Sequence, residues 1–294
     1  MIKFKRNLKE TVFQYKYIIL TLVLIFSLGL VGFFYYNQKL KVRPPEEDVQ
    51  FNFTIDGKNY IMPSVVHSFH FLNSMGFPWQ GLTESNPTHD YDNETQRALN
   101  LGGRSADGTV LVFADEKIKA IEARGIFLKL ADSLEITEQI KDRLFDLDTA
   151  LIVHADQSVL DERIIHLEYE IEKALHDKKK DHLAVLMELG AWLEGLHIAS
   201  KGIINNYKPM YAEILRQPHI AQIYLDIMEA LIHHAKTEKE KKLLKSISSH
   251  LEQAAKIANH SHKESFPIEK VKELYEISIQ IKTLIESNGE TVKP

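Results

Sequence analysis

Apolar and polar positions divide the chain into two unlike texts. Residues 17–36, YIILTLVLIFSLGLVGFFYY, carry no charge and lie between Lys16 and Lys39. At the helical rise such a run is about 30 Å long, the thickness of a hydrocarbon core. Tyr17 at one end and Phe33 to Tyr36 at the other suit the two membrane interfaces, where aromatic rings settle. A buried core helix of this length would show a polar stripe, and this run has none. The pattern predicts a transmembrane helix over 17–36.

From Ser64 onward the apolar residues recur at helical spacing. Ser64 follows Pro63 as an N-cap, a helix runs over 65–75, and Gly76 ends it. Further helices are predicted at 94–101, 106–133, 137–176, 181–206, 209–235, 237–259 and 267–286, with a turn-rich loop over 78–93. Several carry steps of four and three: Ile140, Leu144, Leu147, Leu151 and His154, then Leu160, Ile164, Leu167, Ile171 and Ala174 in a different phase. Leu244, Ile247, Leu251, Ala254 and Ala258 repeat the stepping, as do Leu274, Ile277, Ile281 and Leu284. Each seam is too short for a free coiled coil, so the stripes should pack on one another. The phase slip between His154 and Leu160 predicts a kink or local break in the 137–176 helix. The alternation Phe51, Phe53, Ile55 before Asp56 and Gly57 predicts a short hairpin or extended lead-in. The expected fold is all-α: one N-terminal transmembrane helix, then an extracytoplasmic multi-helix bundle.

This pattern sets the domain plan: a cytoplasmic basic tail over 1–16, the span over 17–36, a linker with a short extended segment over 37–63, the bundle over 64–288, and a flexible C-terminus over 289–294. Charge sets the orientation. Five basic residues precede the span and three follow it closely, which favours the N-terminus inside. A cleaved signal peptide is the competing reading, but the one small-x-small site, Ser27-Leu28-Gly29, lies within the run rather than after it. Of 36 basic and 41 acidic residues, eight and one fall in the first 43, leaving a body with a net charge of −12. An acidic body repels phosphate backbones, so nucleic acid is not an expected partner. The chain has no cysteine, which excludes disulfides, thiol chemistry and a lipid-anchoring cysteine.

Two stretches invite a chemical reading. GRSADGT (103–109) approaches the phosphate-loop pattern but lacks its lysine, places Asp107 beside the would-be anion, and follows a helix rather than a strand. Gly102, Gly103 and the small residues that follow are instead expected to form a sharp joint and a close helix contact. In ELGAWLEGLHIASKG (188–202), Ala191, Gly195 and Ala199 are four apart and leave one helix face nearly bare, so another backbone can approach. On the functional reading Glu188, Trp192 and His197, with Asp107 from the earlier stretch, line a ligand pocket. On the packing reading the same helix is a core element with charged edges. His67 and His70 are three apart and could chelate, but they supply two of the three or four ligands that zinc needs. His233-His234 and His260-x-His262 lie at polar edges. No metal, cofactor or catalytic residue is assigned: there is no nucleophile elbow, no His-carboxylate signature and no cysteine.

Three stretches taken in order, IMPSVVHSFHFL, RALNLGGRSAD and LGAWLEGLHIAS, resemble a group of exported helical bacterial proteins, often anchored by lipid, over roughly residues 60–205. The resemblance implies a bacterial, extracytoplasmic, all-helical domain and brings no activity, substrate or catalytic residue. The chain departs from the group in carrying an apolar span where relatives have a lipid-attachment cysteine, and in Gly103 to Ser105. The expectation is a membrane-anchored binding or scaffold domain of the envelope that meets a protein partner or a second copy of itself. The alternatives are a ligand- or metal-binding enzyme built around 188–202, and a self-assembling structural protein.

Overall fold

A computed structural model describes residues 51–62, 64–83, 91–261 and 264–287. The predicted basic tail, the transmembrane span, residues 37–50 of the linker and the 289–294 tail lie outside the described residues. Among these the chain is helical apart from one hairpin. Strands β1 (Phe51–Ile55) and β2 (Lys58–Met62) pair antiparallel, with Ile55 opposite Lys58. The two-residue turn holds Asp56 and Gly57 at φ 50° and 76°, the paired left-handed geometry that a tight hairpin requires. Phe53 and Ile55 are buried in the main core, so the hairpin belongs to the body it precedes.

Ten helices follow: α1 (Val65–Ser74), α2 (Glu94–Phe113), α3 (Lys117–Ser133), α4 (Thr137–Ile152), α5 (Gln157–Asp177), α6 (Asp181–Asn205), the one-turn α7 (Pro209–Ala212), α8 (Pro218–His234), α9 (Glu238–Ala258) and α10 (Ile268–Glu286). Ser64 caps α1 as its sequence position predicts, accepting from Val66 N at 3.1 Å. A capping box of Thr237 and Glu240 opens α9. The seams face inward. Leu160, Ile164, Leu167, Ile171 and Ala174 are all buried on α5, as are Leu244, Ile247, Leu251, Ala254 and Ala258 on α9.

The axis of the bundle is α6, apolar on every side. It is long and apolar enough to cross a membrane by composition, but 94% of that stretch is buried inside the bundle. Its apolarity is spent on packing: α2, α5 and α10 lie against it, with α1, β1 and α8 filling the remaining sides.

Besides the helix expected over 209–235, which is broken between α7 and α8 by a 3-10 turn over Glu213–Leu215, two expectations are corrected. No joint interrupts 102–105: α2 runs unbroken through Gly102 and Gly103. The reason is tertiary. A Cβ built on Gly102 would fall on the Met187 carbonyl oxygen and 2.7 Å from Ala191 N, and one on Gly190 would fall on the Leu99 carbonyl, 2.7 Å from its carbon. The two backbones touch there, and each missing side chain makes room for the other helix. The second correction concerns the 106–133 helix, which ends at Phe113 and restarts at Lys117 around Asp115 at φ 58°. The break expected after His154 does occur: α4 stops at Ile152, His154 takes φ 52°, and α5 begins at Gln157. His154 is consequently an exposed turn residue rather than the last member of a seam.

Candidate functional site

Two buried polar centres flank α6. In the first, Glu188 faces Glu168 and Glu172, which are four apart on α5; all three side chains are buried. Glu168 accepts from Ser64 Oγ at 3.0 Å, and Glu172 shares a hydrogen bond with Glu188. Tyr224 of α8 is fully buried against them, and its Oη and Glu172 Oε1 find no hydrogen-bond partner. No lysine, arginine or histidine among the described residues acts on this trio. Burial therefore dominates: it pushes Glu168 and Glu172 well above the usual carboxylate range, helped by the neighbouring acids. Glu188 is pushed up to about 7 by burial, against a hydrogen bond with Glu172 that lowers it. Burial, then Glu188 and Glu172, hold the Tyr224 hydroxyl above its normal range. Burial thus disfavours the charged form of all three carboxyls.

The second centre is matched. Arg104 Nη1 donates to Asp107 Oδ2 at 2.7 Å, and Lys282 of α10 donates to Glu194 at 2.8 Å. Burial, then Glu194, raises Asp107 well above its ordinary range, while Arg104 and Lys282 pull it back. For Lys282 burial opposes the charged form, but Glu194, Asp107 and Glu286 outweigh it, and the ammonium is held above its usual range. His197 lies nearby, with Nδ1 3.1 Å from Ser278 Oγ and its ring stacked on Tyr275 at 5.0 Å.

The four residues expected to share a pocket are thus divided between two faces of α6. Glu188 and Trp192 look toward α8, where Trp192 tilts against Tyr224 with ring centroids 5.6 Å apart. Asp107 and His197 belong to the α10 side. Ala191 flanks the α2 crossing, Gly195 receives Val65 and Phe69 of α1, and Ala199 is buried with them along a shallow groove. Glu168, Glu172 and Tyr224 were not singled out from the sequence. One signal was available: Glu168 lies in the same i, i+4 stripe as Ile164, and Glu172 follows four later.

A mainly apolar cleft with converging polar groups lies elsewhere, between α2, α3, α4 and α5. Val112, Phe127, Leu144, Leu147, Ile164 and Leu167 form its walls, and Arg104, Thr109, Arg124 and Asp148 supply polar groups. Arg124 pairs with Asp148 across the cleft, joining α3 to α4. Thr109 Oγ1 donates to the Ser105 carbonyl at 2.9 Å and so is already satisfied. Gly108 opens this space. A Cβ built there meets no heavy atom within 4 Å, although glycine inside a helix costs about 1 kcal/mol against alanine. An apolar concavity with a few polar groups is the usual form of a small-molecule site, but at about 70 Å³ this one is smaller than such sites usually are, so a ligand as long as a fatty acid would need the cleft to open.

His67 and His70 do not converge on a metal. His67 is exposed, while His70 pairs with Asp161 at 3.5 Å and meets the edge of Phe113. Comparisons with protein-family models, curated proteins and solved structures find no match. The three-motif resemblance therefore rests on those motifs alone.

Proposed function

We propose that the chain is a membrane-anchored binding domain displayed outside the cytoplasm, whose cleft between α2 and α5 takes an elongated apolar ligand bearing an acidic group. The anchor rests on the uncharged run 17–36 and the basic excess before it. The ligand class rests on apolar walls beside Arg104 and Arg124, whose pairing with Asp107 and Asp148 an acidic ligand group would have to share or displace. The observation that carries the reading is Gly108, an interior helix glycine with nothing against it, so that its missing side chain leaves room in the cleft. A reporter enzyme active only outside the cytoplasm, fused after Pro294, is expected to be active; a stable but inactive fusion refutes the orientation. Native mass spectrometry of the detergent-solubilised full chain with dodecanoate is expected to show a bound adduct that Gly108→Phe abolishes. An adduct unchanged by that substitution removes the cleft as the site.

One observation favours a second reading. Ile118, Phe145, Ile152 and Val153 are exposed on the α3–α4 hairpin, and three of them cluster at one end, where Lys117 Nζ lies 3.4 Å from His154. This face suits a second copy of the chain or another envelope protein. Crosslinking in the native membrane that Ile118→Asp with Ile152→Asp abolishes would support it, and crosslinking that survives the pair would not.

A further inference from the structure

Folding brings the hairpin turn to the end of α8. Asp56 stands at the turn, and His233 and His234 form the last residues of the helix. His234 Nε2 lies 3.1 Å from Asp56 Oδ1 and His233 Nδ1 3.8 Å from Asp56 Oδ2. One donor atom from each of the three lies within 4.8 Å of the other two, the one such group among the described residues. Ligands held about 2.0–2.1 Å from a tetrahedral ion sit about 3.3 Å from one another, and the two histidine–aspartate separations bracket that value, each on a different Asp56 oxygen. The adjacent histidines reach the aspartate with different ring nitrogens. His182, at the start of α6, stacks on His234 with ring centroids 4.9 Å apart and fixes that ring's plane.

We propose that Asp56, His233 and His234 form a surface site for a divalent transition-metal ion of the zinc class. Two imidazoles and one carboxylate suit Zn²⁺ and its neighbours, not Ca²⁺ or Mg²⁺, which take oxygen ligands. All three side chains are exposed, so a hydrated ion can enter and solvent completes its coordination. The ion ties the hairpin to α8. A two-stranded hairpin is marginal alone, and this one is held by Phe53 and Ile55 on its inner face while its turn has mainly these polar contacts. In sequence the hairpin directly follows the proline-containing linker, so it is the first element of the body that a pull on the linker would load.

The test uses the full chain, purified in detergent with a histidine-free affinity tag, and Zn²⁺ titrated against a chromophoric chelator. One-to-one binding is expected, weakened at least about tenfold by Asp56→Asn and by His234→Gln, while His70→Gln leaves it unchanged. Asparagine tolerates the left-handed backbone at 56, so the hairpin should survive that change. Co²⁺ in place of Zn²⁺ is expected to give a visible absorption band, and either ion is expected to slow amide exchange in 51–62. The proposal is overturned if Zn²⁺ does not bind, if Asp56→Asn binds it as tightly as the parent, or if bound ion leaves hairpin exchange unchanged. In the first two cases the cluster is a set of histidine–carboxylate contacts alone; in the third the ion does not tie the hairpin to α8.

Discussion

The same residue type does opposite things on two faces of α2. At Gly102, facing α6, a single added carbon would collide with the Met187 carbonyl and the Ala191 nitrogen. At Gly108, facing the cleft, an added carbon would touch nothing. Both glycines cost helix stability. The first is offset by backbone-to-backbone packing along the best-buried helix of the bundle, and the second has no packing to offset it. A glycine with a packing partner reports on the fold, and one without reports on space that the fold leaves open.

The comparison breaks most readily on its tight side. Gly102→Ala or Gly190→Ala is expected to lower stability by at least about 3 kcal/mol, at the upper end for overpacking, because backbone rather than a pliable side chain is in the way. Helix propensity alone predicts a gain of about 1 kcal/mol, so even the sign of the change in denaturant midpoint decides between the two accounts.

A second contrast lies on α6, between the unmatched trio around Glu188 and the matched group around Lys282. Glu188 is raised from 4.5 to about 7 in the folded state. A raised carboxyl contributes stability that is complete below about pH 4.5 and is lost as pH rises through about 7. The expected loss from Glu188 over that window is about 3 kcal/mol, and Glu188→Gln should reduce the slope by that share. Burial raises Glu168, Glu172 and Asp107 as well, so they add to the loss as pH rises. Glu94, where burial is outweighed by Lys180 and Lys236 so that it is held at about 2, loses its contribution only in more acidic solution. An unchanged pH slope in Glu188→Gln would mean that the trio is charged and compensated.

The smallest effect is expected on the open side. Gly108→Leu should raise stability by about 0.5–1 kcal/mol through helix propensity while removing ligand binding. A destabilised Gly108→Leu would mean that the cleft is closed in solution.

Local signals in the sequence were enough for most of the elements and not for the site. Ser64, the Asp56-Gly57 turn and the stepping on α5 and α9 act within a few residues, and each is found where its spacing puts it. The missed stop after Phe113 has a physical cause. Asp115, Glu135, His154 and Lys179 all take positive φ at helix junctions, and none is the glycine that normally marks such a turn. The joint expected at Gly102 failed for the converse reason, because the glycines there serve a contact with a helix about 90 residues away that no local pattern encodes. Glu188 stood out beside Trp192, but its partners arrive from α5 and α8. The cleft is assembled from four helices and has no signature in any one of them.

A lone cysteine at position 108 tests the central claim most directly, since the chain has no other thiol. In the detergent-solubilised full-length Gly108→Cys protein, a maleimide is expected to label the folded chain, and saturating dodecanoate to slow that labelling. A cysteine that reacts only after unfolding, or at the same rate with and without dodecanoate, would contradict an open ligand cleft on α2.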